Sequence, residues 1–104
     1  MASGAVAAQI KQRALLGAIQ TIYEANGWAF VDLHMNKTNP TAMSGPDILV
    51  LRGETMRAIK GLIKGDLSPQ QERMKILYEA TGCDYRIYYP ADFLRIATDA
   101  EGVK

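Results

Sequence analysis

Two residues of this chain, Asp47 and Lys60, have types and spacing that could do chemistry. Asp47 closes the loop Ser44-Gly45-Pro46 and opens Ile48-Leu49-Val50-Leu51, a run of four aliphatic residues that reads as a buried strand. Gly53-Glu54 then supplies a turn, and a second extended segment runs back through Met56-Arg57-Ala58-Ile59 to end near Lys60. A carboxylate at the mouth of one strand and an amine on its neighbour is a layout that holds a metal and a water. Metal-assisted phosphodiester cleavage needs oxygen ligands for Mg²⁺ or Mn²⁺ and a group that orients the attacking water. Asp47 could be such a ligand, and Lys60 could polarise the water or neutralise charge in the transition state. The plain alternative is a loop-to-strand junction at Asp47 and a solvated lysine at Lys60, and a Pro-Asp pair is too common to decide between them.

The elements that must position this pair follow from the hydrophobic pattern. Val6, Ile10, Ala14, Ala18, Ile19 and Ile22 recur every three or four residues, predicting one buried face on a helix from about Ala5 to Ala25. Asn26-Gly27 stops it, and Gly17 within it suggests a close packing contact. Trp28 to Leu33 reads as a short strand, and the polar stretch from His34 to Ser44 as a loop leading into Pro46-Asp47. Beyond Lys64-Gly65-Asp66, Ser68-Pro69-Gln70-Gln71 has the form of a capped helix start, with Met74, Leu77 and Tyr78 as its buried stripe and Gly82 as its end. Asp84 to Tyr89 alternates as a strand, Asp92 to Thr98 makes a short helix, and Asp99 to Lys104 reads as a frayed tail. Helix, strand, strand, strand, helix, strand, helix predicts an α/β fold with a mixed sheet, in one domain spanning residues 1–104.

Bulk composition excludes several classes. A formal net charge of +1 leaves no global basic field, so nucleic-acid binding would need locally gathered charge. Arg52, Arg57, Lys60 and Lys64 fall together around the second central strand, with Lys37 in the preceding loop. Cys83 stands alone, which rules out an intrachain disulfide and points to a reducing compartment. His34, the only histidine, has no cluster of Cys, His or acids beside it for zinc. No signal-like start or membrane-length apolar run is present, so a cytoplasmic protein with no membrane partner is expected. Tyr85, Tyr88 and Tyr89 could stack on bases, but their alternation makes at least two of them core or interface residues.

The larger constellation resembles the VRR-Nuc family of the PD-(D/E)XK nuclease superfamily. The resemblance lies in Ser44-Gly45-Pro46-Asp47-Ile48-Leu49-Val50-Leu51, a tight turn, a strand ending in lysine, Lys64-Gly65-Asp66-Leu67-Ser68-Pro69-Gln70-Gln71, and the strand and Pro-x-Asp-Phe turn over Asp84 to Phe93. It covers most of the chain in order. It implies a restriction-endonuclease-like mixed sheet flanked by helices and a Mg²⁺- or Mn²⁺-dependent DNA endonuclease. It further implies a homodimer acting on branched DNA such as Holliday junctions. Carried over by position, Asp47 matches the first metal-binding acid, Lys60 the catalytic lysine, and Gln71 a glutamine near the active site. Lys37, Ser44, Arg52, Arg57 and Lys64 would flank the phosphate path.

The chain departs from that family in two places. The family places an acid two residues before its lysine, where this chain has Ala58, and the segment between Asp47 and Leu67 is about two residues short by comparison. A glutamate near the start of the first helix is replaced by Gln9. Gln71 also has a purely structural reading, as the partner of Ser68 in a capping box. Two further functions therefore stand beside the nuclease: a nuclease-fold module that binds DNA without cutting it, and a small adaptor with no nucleic-acid role.

Overall fold

The computed structural model describes residues 3–33 and 45–102. Its elements are α1 (Ser3–Ala25), β1 (Ala29–Asp32), β2 (Ile48–Arg52), β3 (Thr55–Gly61), α2 (Pro69–Ala80), β4 (Asp84–Tyr88) and α3 (Phe93–Glu101). The strands form one mixed sheet in the order β1-β2-β3-β4. The first three make an antiparallel meander, and β4 returns through α2 to lie parallel to β3. The expected α/β fold, a mixed sheet flanked by helices, is what the chain adopts.

Strand alternation sorts side chains onto two faces. Ile48, Val50, Ile59 and Tyr88 point toward α1 and α3, where they pack with Leu15, Leu16, Ile19, Tyr23, Trp28, Ile96 and Ala100. Ala58 and Tyr85 point the other way with Cys83, and Leu49, Tyr78 and Ile87 pack against them under α2. The second layer is thin. Leu77, expected in the α2 stripe, is 60% exposed, and Met74 is half-buried.

Helix α1 buries only the C-terminal part of the stripe its spacing predicts: Ile19 is in the core and Ile22 packs against it. Ile10 is 62% exposed and Ala14 is exposed, while Leu15, Leu16, Ile19 and Tyr23 go in. Every described side chain from Ala7 to Lys11 is exposed, so the small-residue half of the helix lies beyond the core and its larger residues choose the face. Val6 lies outside the residues whose side chains are described. A methyl group placed on Gly17 would meet no atom of the described residues within 4 Å, so this glycine does not mark the close contact expected of it. Gly27, at φ 85°, ends α1 as predicted, and the Trp28 N–H reaches back to the Tyr23 carbonyl over 3.1 Å.

The hairpin between β2 and β3 closes on Gly53-Glu54, with Gly53 at φ 61° in the position where a primed turn requires glycine. Pairing runs without interruption from Arg52–Thr55 to Ile48–Ile59. The C-terminal segment is not frayed at Asp99: α3 continues to Glu101 and Ala100 is fully buried. A polar network secures it. The Arg57 guanidinium donates to Asp84 Oδ2 (3.0 Å), the Tyr23 hydroxyl (3.2 Å) and the Asp99 carbonyl (2.6 Å). Tyr88 donates to Asp99 Oδ2 over 2.8 Å, and the Tyr23 and Tyr88 hydroxyls share a 2.6 Å hydrogen bond.

Candidate active site

Asp47 lies one residue before β2, and its backbone holds it on both sides. Its N–H donates to the Ile59 carbonyl (2.8 Å) and its carbonyl accepts from the Leu33 N–H (2.9 Å). The Leu33 bond continues the β1–β2 pairing beyond Asp32–Ile48, and the bond to the Ile59 carbonyl ties Asp47 to β3 beside Lys60. Both point to the face that carries Ala58 and Tyr85. The ammonium of Lys60 stands 3.5 Å from Asp47 Oδ1 and 3.4 Å from the Gly45 carbonyl. Asp47 Oδ2 accepts the Gly61 N–H over 3.0 Å. Asp47 is fully buried and Lys60 is 4% exposed, so the two expected site residues meet as an ion pair inside the protein.

The flanks of the pair come from three further elements. Gln12 of α1 donates to the Gly61 carbonyl over 3.2 Å, so α1 does reach this strand end, through Gln12 rather than Gln9. Gly61 is glycine because α1 lies against it: a Cβ there would come within 3.0 Å of Leu16 Cδ2 and 3.2 Å of Leu15 Cδ2. Ala58 stands beside Tyr85 in the parallel β3–β4 register. The Tyr85 hydroxyl is buried with no hydrogen-bond partner among the described residues. Burial, and then the charge of Asp47, push this phenol well above its ordinary value. Ala58 and Tyr85 are site neighbours that residue types alone do not reveal, because an alanine and a strand tyrosine read as ordinary core.

The other expected site residues are dispersed. Gln71 completes the capping box of α2: its side chain accepts the Ser68 N–H over 2.8 Å while its own N–H donates to Ser68 Oγ over 3.2 Å. Both of these hydrogen bonds serve the helix cap. Arg57, expected beside the phosphate path, is instead fully buried under Tyr23 and Trp28 on the opposite face of the sheet, because its charge is consumed by Asp84 and the end of α3. Arg52 stacks on Trp28 and donates to the carbonyls of Asn26, Ala100, Glu101 and Gly102, so its guanidinium closes the C-terminus of α3. Lys64 is exposed. Lys37, Ser44 and His34 lie outside the described residues.

On the α1 face, a cleft of about 610 Å³ opens between α1 and the first two strands. Among the described residues its polar lining is Arg13 and Gln20 from α1 and Asp32 from the end of β1. Nothing in the sequence singles out Asp32, which closes an apolar strand as an ordinary strand-end acid.

Among the described residues, the donors at this strand end do not make up a divalent-metal site. All eleven acids of the chain lie among the described residues. Among those residues no three His, Cys, Asp or Glu side chains come together in a way that could hold an ion. Asp47 is the one carboxylate of the pair, and the position two residues before Lys60 carries the methyl group of Ala58. No helix among the described residues is long and apolar enough to cross a membrane.

Comparison with protein families, with curated proteins and with solved structures finds no match to this chain.

Proposed function

We propose that the chain is a DNA endonuclease-type domain that engages branched DNA as a cytoplasmic homodimer and hydrolyses its phosphodiester bonds. The observation that supports this reading most is the meeting of Asp47 and Lys60 over 3.5 Å, across neighbouring strands, at the positions that the family resemblance assigns to the reacting pair. The αβββαβ order of the first six elements, with a three-strand meander and a parallel fourth strand, accords with the restriction-endonuclease-like fold that the resemblance implies. In this reading the Lys60 ammonium neutralises charge on the scissile phosphate, and Asp47 holds that ammonium in place. Val31, Leu51 and Met56 are exposed on the part of the sheet that α2 leaves open, and they offer apolar surface to a second copy.

Ala58 favours a second reading, a nuclease-fold module that binds DNA without cutting it. The Mg²⁺ or Mn²⁺ dependence that the resemblance implies has only Asp47 to rest on among the carboxylates at this site. Cleavage of a labelled four-way junction, with and without Mn²⁺ and beside Asp47→Ala, separates the two. Cutting that disappears in the variant supports the nuclease. Salt-dependent binding that leaves the junction whole supports the module, and absence of both removes DNA as the partner.

A further inference from the structure

We infer that the free domain holds no divalent cation at Asp47, that the Lys60 ammonium takes the place of that charge, and that one acid at position 58 would convert the pair into a metal site. The inference rests on reading Asp47 and Lys60 as the nuclease-type pair, but it concerns cation binding and not DNA.

Three observations carry it. Asp47 has one oxygen on the Gly61 N–H and the other facing Lys60, all within a buried strand end. A metal ion taking that carboxylate would displace the ammonium and deprive Lys60 of this counter-charge, which is costly in a water-poor site. Magnesium and manganese sites also need more than one carboxylate or a substrate phosphate beside it, and the described residues of the free chain supply neither at this strand end. Finally, the place for a second acid is well defined. Strand alternation puts Ala58 on the same face as Lys60, two residues along β3 and opposite Leu49, while Asp47 reaches that face through its contact with Lys60. Tyr85, the register partner of Ala58 on β4, carries a buried hydroxyl with no acceptor among the described residues. A glutamate at 58 would give that donor an acceptor and give Asp47 a second carboxylate.

The test is Mn²⁺ binding to the free protein without DNA, read by the electron-spin-resonance signal of unbound Mn²⁺ and by the thermal midpoint. Wild type is expected to leave the Mn²⁺ signal and its own midpoint unchanged. Ala58→Glu is expected to bind Mn²⁺ saturably, with a midpoint that rises with Mn²⁺ concentration, and to lose both effects when combined with Asp47→Asn. Saturable Mn²⁺ binding by wild type that Asp47→Asn abolishes would overturn the inference. So would a folded Ala58→Glu that binds no Mn²⁺. If glutamate prevents folding, Ala58→Asp tests the same position with a smaller side chain. The wild-type measurement decides the first part by itself. Because no DNA is present, junction binding and cleavage remain an independent judgement on the nuclease reading.

Discussion

Lys60 Nζ and Asp47 Oδ1 lie 3.5 Å apart with both residues buried, so each charge depends on the other for its place in the fold. Removing one partner takes a counter-charge from the other in a buried site, whereas removing both takes the two charges away together.

Lys60→Met should therefore destabilise the domain by on the order of 3 kcal/mol. The double variant Asp47→Asn/Lys60→Met should recover part of that loss. Urea denaturation of the two singles and the double completes the cycle, and strictly additive effects would show that the pair is not coupled.

Arg57 belongs to the core, not to a DNA surface. Arg57→Met should cost about 1–3 kcal/mol, because the Asp99 carbonyl and the Tyr23 hydroxyl lose a buried donor and Asp84 is left with Arg86 alone. The salt dependence of any DNA binding should keep the wild-type slope, measured well below the unfolding midpoint. A reduced slope in this variant would return Arg57 to the phosphate path.

Burial pushes the Asp84 carboxyl up, but the hydrogen bonds and charges of Arg86 and Arg57 outweigh burial and hold it below its ordinary value of 3.8. A carboxyl lowered on folding stabilises the native state above its unfolded value, and that contribution is lost as pH falls through the lowered one. Stability should thus decline as pH drops below about 4. Asp84→Asn should be less stable at neutral pH and show a flatter acid limb. Urea midpoints between about pH 2 and 6 would reveal it, and parallel acid limbs for the two proteins would contradict it.

Tyr85 carries a buried hydroxyl with no partner among the described residues, which costs free energy wherever it is desolvated. Tyr85→Phe should leave stability unchanged or raise it by up to about 1 kcal/mol at neutral pH. Its phenol is raised on folding, so its contribution is complete below the ordinary phenol value of about 10 and is lost as pH rises further. The phenylalanine variant should lose less stability on the alkaline side. A marked loss at neutral pH would mean that the hydroxyl is satisfied in solution.

Two glycines should respond to alanine with opposite signs. Gly17 is exposed in mid-helix with open space around it, so Gly17→Ala should stabilise by about 0.5–1 kcal/mol. Gly61 lies against Leu15 and Leu16, so Gly61→Ala should destabilise by about 1–3 kcal/mol. Thermal midpoints measured side by side check both, and equal signs would refute the packing argument.

Much of the fold can be read locally. The Asn26-Gly27 stop, the Gly53-Glu54 hairpin, the Ser68–Gln71 capping box and the apolar run after Asp47 each depend on a few adjacent residues, and each is realised. Element order and α/β class follow from them. The candidate pair is legible for the same reason: an acid at the start of one strand and a lysine near the end of its hairpin partner must lie close once the two-residue turn sets the register.

What the chain alone leaves open depends on contacts between distant segments. Helical spacing in α1 permits several overlapping stripes, and only the meeting of α1 with α3 and the sheet selects Leu15, Leu16, Ile19 and Tyr23. Arg57 and Arg52 look like surface cations until Asp84 of β4 and the carbonyl end of α3 arrive beside them and use their donors. Ala58 and Tyr85 become one locus only when β4 returns parallel to β3. Adjacent residues determined the elements and the hairpin that joins Asp47 to Lys60. Tertiary packing decided which charges are buried, because burial is set by whatever covers a side chain from elsewhere in the chain.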